Sequence, residues 1–201
     1  MPLCQIHLVP IILFSLKREL FLSSIFLKKD LENDLLYRVT HHKVLTILRQ
    51  AAFLSPRYHV VVTNPPYLGG KNMNSRLKVF AEDNYPMSKS DLFAMFIERC
   101  SKMCVTHGTV AMITMQSWMF LSSFEDLRKW ILNEKTIVSM AHLGARAFDT
   151  IGGEVVSTTA FTLANEHVAD YRGGFIRLVD GQNEAAKSQM MQTALQDVEV
   201  A

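Results

Sequence analysis

The sequence predicts an α/β fold: a mostly parallel sheet that finishes with an antiparallel strand and carries helices on both faces. Three observations predict it. From residue 58 onward, short β-branched runs alternate with longer stretches of helical apolar spacing, which is the pattern of βαβ units. The runs "YHVVVT", "TVAMITM" and "TIVSMAHL" read as strands buried on both faces. The last two runs, "EVVSTTAFTLAN" and "GGFIRLVD", follow loops rather than long helices, so the sheet is expected to end antiparallel.

Residues 1–57 read as a helical N-terminal segment. Apolar clusters ("IILF", "LFLSSIFL") alternate with the basic pairs Lys17-Arg18 and Lys28-Lys29, and Leu31, Leu35, Val39, Leu45 and Leu48 recur at roughly helical spacing. Such a start is expected of an internal piece of a larger protein. Tyr58 to Thr63 is the first strand, and "PPYLGGKNMNS" is a loop rich in breakers. A short helix is expected over residues 76–82, then a loop, "NYPMSKS". Ser90 or Asp91 can cap the next helix, which carries Leu92, Phe93, Phe96, Ile97, Cys100 and Val105 on its apolar side and ends at His107-Gly108. A second strand, a helix from about Phe124 to Asn133, a third strand, the loop "GARAFDTIGG" and the last strands complete a domain over residues 58–181. The tail, 182–201, is polar with a weak helical pattern and is expected to be loosely ordered.

Bulk composition narrows the function. A net charge of +2 gives no overall basic field demanding nucleic acid, although a local basic surface remains compatible. Cys4, Cys100 and Cys104 form no even framework, so a reduced, cytoplasmic setting is expected, with Cys100 and Cys104 as buried thiols. The apolar stretch "LVPIILFSL" is roughly half the length of a membrane-spanning helix, so no membrane contact is expected. The seven histidines are scattered, and no metal site is expected.

The chemistry concentrates at "VVVTNPPYLGG", where a buried strand leaves through Asn64-Pro65-Pro66-Tyr67. In open α/β sheets, ligands sit beyond the carboxyl ends of the strands. Two prolines make a stiff turn without N–H donors, so the Pro65 carbonyl meets no competing donor beside it. Asn64 adds a side-chain carbonyl. Two acceptors converging on one small donor suit an exocyclic amine, and Tyr67 offers a flat face on which a base can stack. Held this way, an amine presents its lone pair to an electrophilic methyl group without an enzyme nucleophile or a metal. The same four residue types also make ordinary turns; their place after "VVVT" favours the functional reading.

"VVVTNPPY" resembles motif IV of S-adenosylmethionine-dependent amino-methyltransferases of the adenine-N6 branch. "SKSDLFAMFIERC", "HGTVAMITMQSWMF", "FEDLRKWIL" and "FDTIGGEVVSTTAFTL" resemble the elements that follow in that family. The longer strings "NPPYLGGKNMN" and "MAHLGARAFDTIGGEVV" are similar to the large adenine-specific methyltransferases of BREX phage-defence and restriction-modification systems. The resemblance covers about Tyr58 to Leu163 and implies the second half of a Rossmann-like methyltransferase sheet. It implies that Asn64 and Pro65, with Pro66 stiffening the turn, accept from adenine N6. Tyr67 and Phe148 stack on the flipped base, and Asp91, Leu92 and Phe93 shape the cofactor's adenosine pocket. The apolar spacing of Leu92, Phe93 and Phe96 fits core packing equally well, and Phe148 fits a loop aromatic over the sheet edge. Trp118 and Phe120 fit either DNA contact or the core.

The chain departs from the family in two respects: the region expected to read the target sequence has only about forty polar residues after Leu163 in which to fit, and the cofactor turn is missing. The glycine-rich cofactor turn of this branch precedes Asn-Pro-Pro-Tyr, and no glycine precedes Gly69. The expectation is a truncated or split methyltransferase, inactive alone, whose partners are DNA and either the missing half or other defence-system proteins. The alternatives are a protein-glutamine methyltransferase, which also uses Asn-Pro-Pro-Tyr, and a non-catalytic remnant that binds DNA or a partner.

Overall fold

The computed structural model describes residues 35–148 and 156–198. The expectations for residues 1–34, Cys4 and the basic pairs among them, and for residues 149–155, lie outside the described residues. Two compact units divide the chain at Pro56.

In the first unit, helix α1 runs over Leu35–Leu54. The Ala51 carbonyl closes it, accepting from Ser55 N at 3.0 Å and from Ser55 Oγ. Pro56 disfavours helical backbone at Ser55, which explains the stop. Val39, Ile47 and Phe53 are exposed.

The second unit is built on five strands: β1 (Tyr58–Thr63), β2 (Cys104–Met115), β3 (Thr136–Gly144), β4 (Thr158–Ala164) and β5 (Gly174–Arg177). Their order across the sheet is β1-β2-β4-β3-β5. β1 pairs with β2 and β3 with β5 in parallel, while β4 runs antiparallel to both β2 and β3. This corrects the expected topology. The sheet is mixed rather than mostly parallel, and the antiparallel strand is inserted between β2 and β3 instead of finishing an edge. The last strand, β5, is parallel. A chain returning from a loop without a crossover helix arrives antiparallel to its predecessor, and β4 does so between β2 and β3, where it gains two neighbours.

Among the described residues four α-helices accompany the sheet: α2 (Ser75–Asn84), α3 (Leu92–Met103), α4 (Glu125–Glu134) and α5 (Glu184–Val198). Asn74 caps α2, its Oδ1 accepting from Leu77 N at 2.8 Å. Glu125 and Asp126 place negative charge at the start of α4, where the helix dipole favours it. The main core joins Phe93, Ala94 and Ile97 of α3 and Leu127 and Ile131 of α4 to Val110 and Met112, Met140, and Phe161 and Leu163. α3 and α4 therefore share one face of the sheet. A smaller cluster of Met73, Ala81 and Met95 ties α2 to α3.

α3 ends at Met103 and β2 begins at Cys104, so His107-Gly108 does not end the helix. It kinks the start of the strand, with His107 at φ 63° and the pairing slipping from Tyr58–Cys104 to Val60–Thr109. A Cβ at Gly108 would lie 2.5 Å from Cys104 Sγ and 2.8 Å from the His59 carbonyl, so only glycine fits there. Cys100 and Cys104 are both buried, and burial pushes the Cys100 thiol up to about 11.

The tail is more structured than its polarity suggests. Lys187, on α5, is 4% exposed. Its Nζ donates to the Leu143 carbonyl at 2.7 Å and the Leu178 carbonyl at 2.8 Å, which fastens the helix to the end of β3 and to the residue after β5. A cavity of about 530 Å³ lies between β5 and α5, lined by Ile176, Met190 and Thr193 among others. It is at the opposite edge of the sheet from β1.

Candidate active site

β1, β2 and β3 point the same way, so Asn64, Gln116 and Ala145 leave one common rim, where β4 enters. Asn64 is exposed, Pro65 buried, Pro66 exposed and Tyr67 half-buried. The buried Pro65 ring seats the turn, and the residues on either side face outward. The Tyr67 hydroxyl lies 3.5 Å from Asn64 Oδ1. That is long for an O–H···O bond, so the amide oxygen keeps its acceptor capacity.

The Tyr67 ring has a fixed support. It meets Phe93 edge-on at 6.0 Å between centroids, and Phe93 meets Phe124 at 5.7 Å. Phe93 itself is fully buried. Burial, and then the nearby Asp91 carboxylate, raises the Tyr67 pKa, so the phenol stays protonated at neutral pH.

Asp91 caps α3 and binds the turn at once. Its Oδ1 accepts from Phe93 N at 3.3 Å and from Leu68 N at 3.0 Å. Leu92 N donates to the Leu68 carbonyl at 3.1 Å, and Gly70 N to the Ser90 carbonyl at 2.9 Å. The residues that follow Tyr67 thus lie antiparallel against the residues that open α3. Burial raises the Asp91 carboxyl, against the pull of the Leu68, Phe93 and Leu92 amides. Leu92 is half-buried beside it.

Phe148 is half-buried in the segment after β3. β2 and β4 stand between β1 and β3. At the usual strand spacing, roughly 14 Å separates those two axes. Residues 145–148 bend on leaving β3, with Arg146 at φ 58°.

Trp118 belongs to the core: it is 2% exposed, its Nε1 donates to Thr114 Oγ1 at 3.2 Å, and its ring meets Phe161 at 5.2 Å. Phe120 is 60% exposed at the rim, 5.8 Å from the His142 ring. His142 Nε2 is 2.6 Å from Gln116 Oε1. Burial, then Arg177 and Lys187, lowers the His142 pKa, which favours the neutral ring. Sequence reasoning missed the buried Glu98, bonded to Ser88. One signal could have found it: Glu98 lies four residues after Ala94 and three after Met95, on the apolar side of the helix.

With this geometry established, kinship decides the family. Residues 17–148 match the Eco57I restriction-modification methylase family. The chain belongs to that family. The resemblance carried by "VVVTNPPY" and the strings after it is thereby borne out. Two curated relatives match across 80% of the chain. The adenine-specific methyltransferase BrxX of Escherichia coli O9:H4 (strain HS) is 48% identical over 160 residues. The adenine-specific methyltransferase PglX of Lacticaseibacillus casei (strain Zhang) is 44% identical over 161 residues. The chain spans 13% of the length of each.

Solved structures share the fold. A DrdV–DNA complex superposes with a TM-score of 0.56 at 16% identity, covering 73% of this chain and 17% of that one. A nuclease-deletion mutant of the Type ISP restriction-modification enzyme LlaGI, in complex with a DNA substrate mimic, gives 0.52 at 19%, covering 87% and 18%. The Eco57I-type methylase fold of this chain is thus the mixed sheet described above.

Proposed function

We propose that this chain carries the target-base half of an adenine-specific DNA methyltransferase, acting in phage defence or restriction-modification. The supporting observation is the rim turn: an exposed Asn64 with its amide oxygen weakly engaged, beside a half-buried Tyr67 ring backed by Phe93. The family and the two adenine-specific relatives agree with it.

In this reading the adenine swings out of the duplex, because a paired base cannot reach a pocket at the rim. Asn64 Oδ1 and the Pro65 carbonyl accept from its N6 hydrogens. Tyr67 lies against one face of the base and Phe148 against the other. The two acceptors turn the nitrogen lone pair toward the incoming methyl and stabilise the positive charge that grows on nitrogen. With S-adenosylmethionine bound, the N–C bond would form as its S–C bond breaks, and the surplus proton would leave N6 to solvent. S-adenosylmethionine supplies the methyl group. Leu92 and Asp91 suit the edge of its adenosine, with Phe93 shaping that pocket from behind. No residue of this chain before Gly69 supplies the glycine turn for its methionine end, so we infer that this turn, and with it tight cofactor binding, is contributed from outside these residues. DNA is the partner, together with the polypeptide that carries that turn or other defence proteins. The setting is cytoplasmic; no helix among the described residues is long and apolar enough to cross a membrane.

The test is methyl transfer from labelled S-adenosylmethionine to duplex DNA, with the remaining segment of BrxX supplied alongside the chain. Incorporation into adenine is expected, and Asn64→Ala should lower it about a hundredfold or more, as loss of a transition-state hydrogen-bond partner does. Incorporation into a glutamine peptide instead of DNA would reassign the substrate. Unchanged transfer by Asn64→Ala would leave a binding role without catalysis. The chain alone should show no saturable binding of the labelled cofactor.

A further inference from the structure

We propose that Ser88 and Glu98 form a buried anchor that positions the Asn64–Tyr67 turn through Asp91. Ser88 is fully buried and Glu98 is 2% exposed. The Ser88 hydroxyl donates to Glu98 Oε1. A carboxylate is costly to bury, and here its other oxygen faces Lys102 Nζ at 3.7 Å, on a side chain that reaches solvent. Lys102 also lies 5.2 Å from the Tyr85 ring, at the start of the same loop. The loop from Tyr85 to Ser90 is therefore tied down from within α3.

From Ser88 the path to the turn is short. Ser88 N donates to the Tyr85 carbonyl at 3.1 Å, and Asp91 N to the Ser88 carbonyl at 3.3 Å. Fixing Ser88 fixes where the chain enters α3, and so where the Asp91 carboxylate sits. That carboxylate holds Leu68 N, the residue after Tyr67. Two turns of α3 thus control the turn twice. Phe93 supports the Tyr67 ring, and Glu98 sets the loop that delivers Asp91. Pro65 and Pro66 have no N–H with which to hold themselves, so the turn depends on bonds made just beyond it. Ser88, Asp91 and Glu98 are positioning residues. Their bearing on methylation rests on the function proposed above; their effect on the turn does not.

Amide hydrogen exchange in the full chain tests the anchor without substrate, so it can fail while the methylation reading stands, and the reverse. Ser88→Ala/Glu98→Met removes both polar partners and keeps the buried volume, which spares the fold from an unpaired carboxylate. Exchange at Leu68 and Gly70 should rise about tenfold, while Val110 and Met112 in β2 stay within about twofold. Glu98→Gln keeps an acceptor for the Ser88 hydroxyl and should restore protection at Leu68. Asp91→Ala should speed Leu68 exchange at least as much as the double variant. The proposal is overturned by any of four results: unchanged Leu68 exchange in the double variant, an equal rise in β2, no rescue by Glu98→Gln, or a smaller effect of Asp91→Ala.

Discussion

At Asp91 the folded state holds a proton more tightly than the unfolded chain does, since burial raises its carboxyl more than the three backbone amides lower it. A raised carboxyl contributes stability that is complete below the ordinary carboxylate range and is lost as pH rises through the folded value. Asp91→Asn keeps an accepting oxygen for Leu68 N and does not titrate. It should therefore flatten the fall in stability across the mildly acidic range, read as urea midpoints at several pH values. Tyr67 gives a second expectation. Tyr67→Phe keeps the ring and its contact with Phe93, so base stacking should survive. Tyr67→Ala removes about 1–3 kcal/mol of stacking and should weaken binding of an extruded base accordingly. An abasic or mismatched duplex containing 2-aminopurine at the target position, followed by fluorescence, separates the two variants. Asn64 and Tyr67 were legible in the sequence because their chemistry is local: four residues at the end of an apolar run. The pairing of Ser88 with Glu98 was not, although helical spacing already put Glu98 on the apolar side of α3. Their bond joins residues ten apart, and Asp91 meets Leu68 across twenty-three, so neither contact has a local spacing to betray it.

Among the elements, α5 shows how far one side chain can override composition. Polar residues over 182–198 suggest a loose tail. The helix is held because Lys187 donates to the Leu143 and Leu178 carbonyls, and close packing surrounds its stem: a Cβ at Gly181 would meet Lys187 Cγ at 2.7 Å. Lys187→Met preserves the stem and removes the donors. It should cost about 1–3 kcal/mol and speed proteolysis within α5 before the sheet itself opens. α3 carries the opposite lesson. Its apolar spacing allowed either core packing or a cofactor wall, and Phe93 is fully buried against the Tyr67 and Phe124 rings. Phe93→Ala should cost about 3–5 kcal/mol. Strands and helices were read nearly in place because β-branched runs and capping residues are local signals. The β4 insertion was invisible, because strand order is decided by pairing partners that a one-dimensional pattern does not name.

For the whole molecule, β1 stands at an edge of the sheet. Val61 faces the core, but Val60 and Val62 are 61% and 73% exposed on the other side. Among the described residues nothing pairs with the outer side of β1, and an apolar edge strand is a template for another strand. The purified chain should self-associate at high concentration, and Val62→Lys should reduce that association in sedimentation velocity without changing the urea midpoint by more than about 0.5 kcal/mol.

The place of β4 has a consequence in time. β2 and β3 share no ladder with each other; both bond to β4, which the chain delivers after them. A ribosome releasing this polypeptide therefore exposes two unjoined halves until Thr158 to Ala164 has emerged. The closing step is a late, non-local docking event of the kind that slows maturation and invites capture by chaperones.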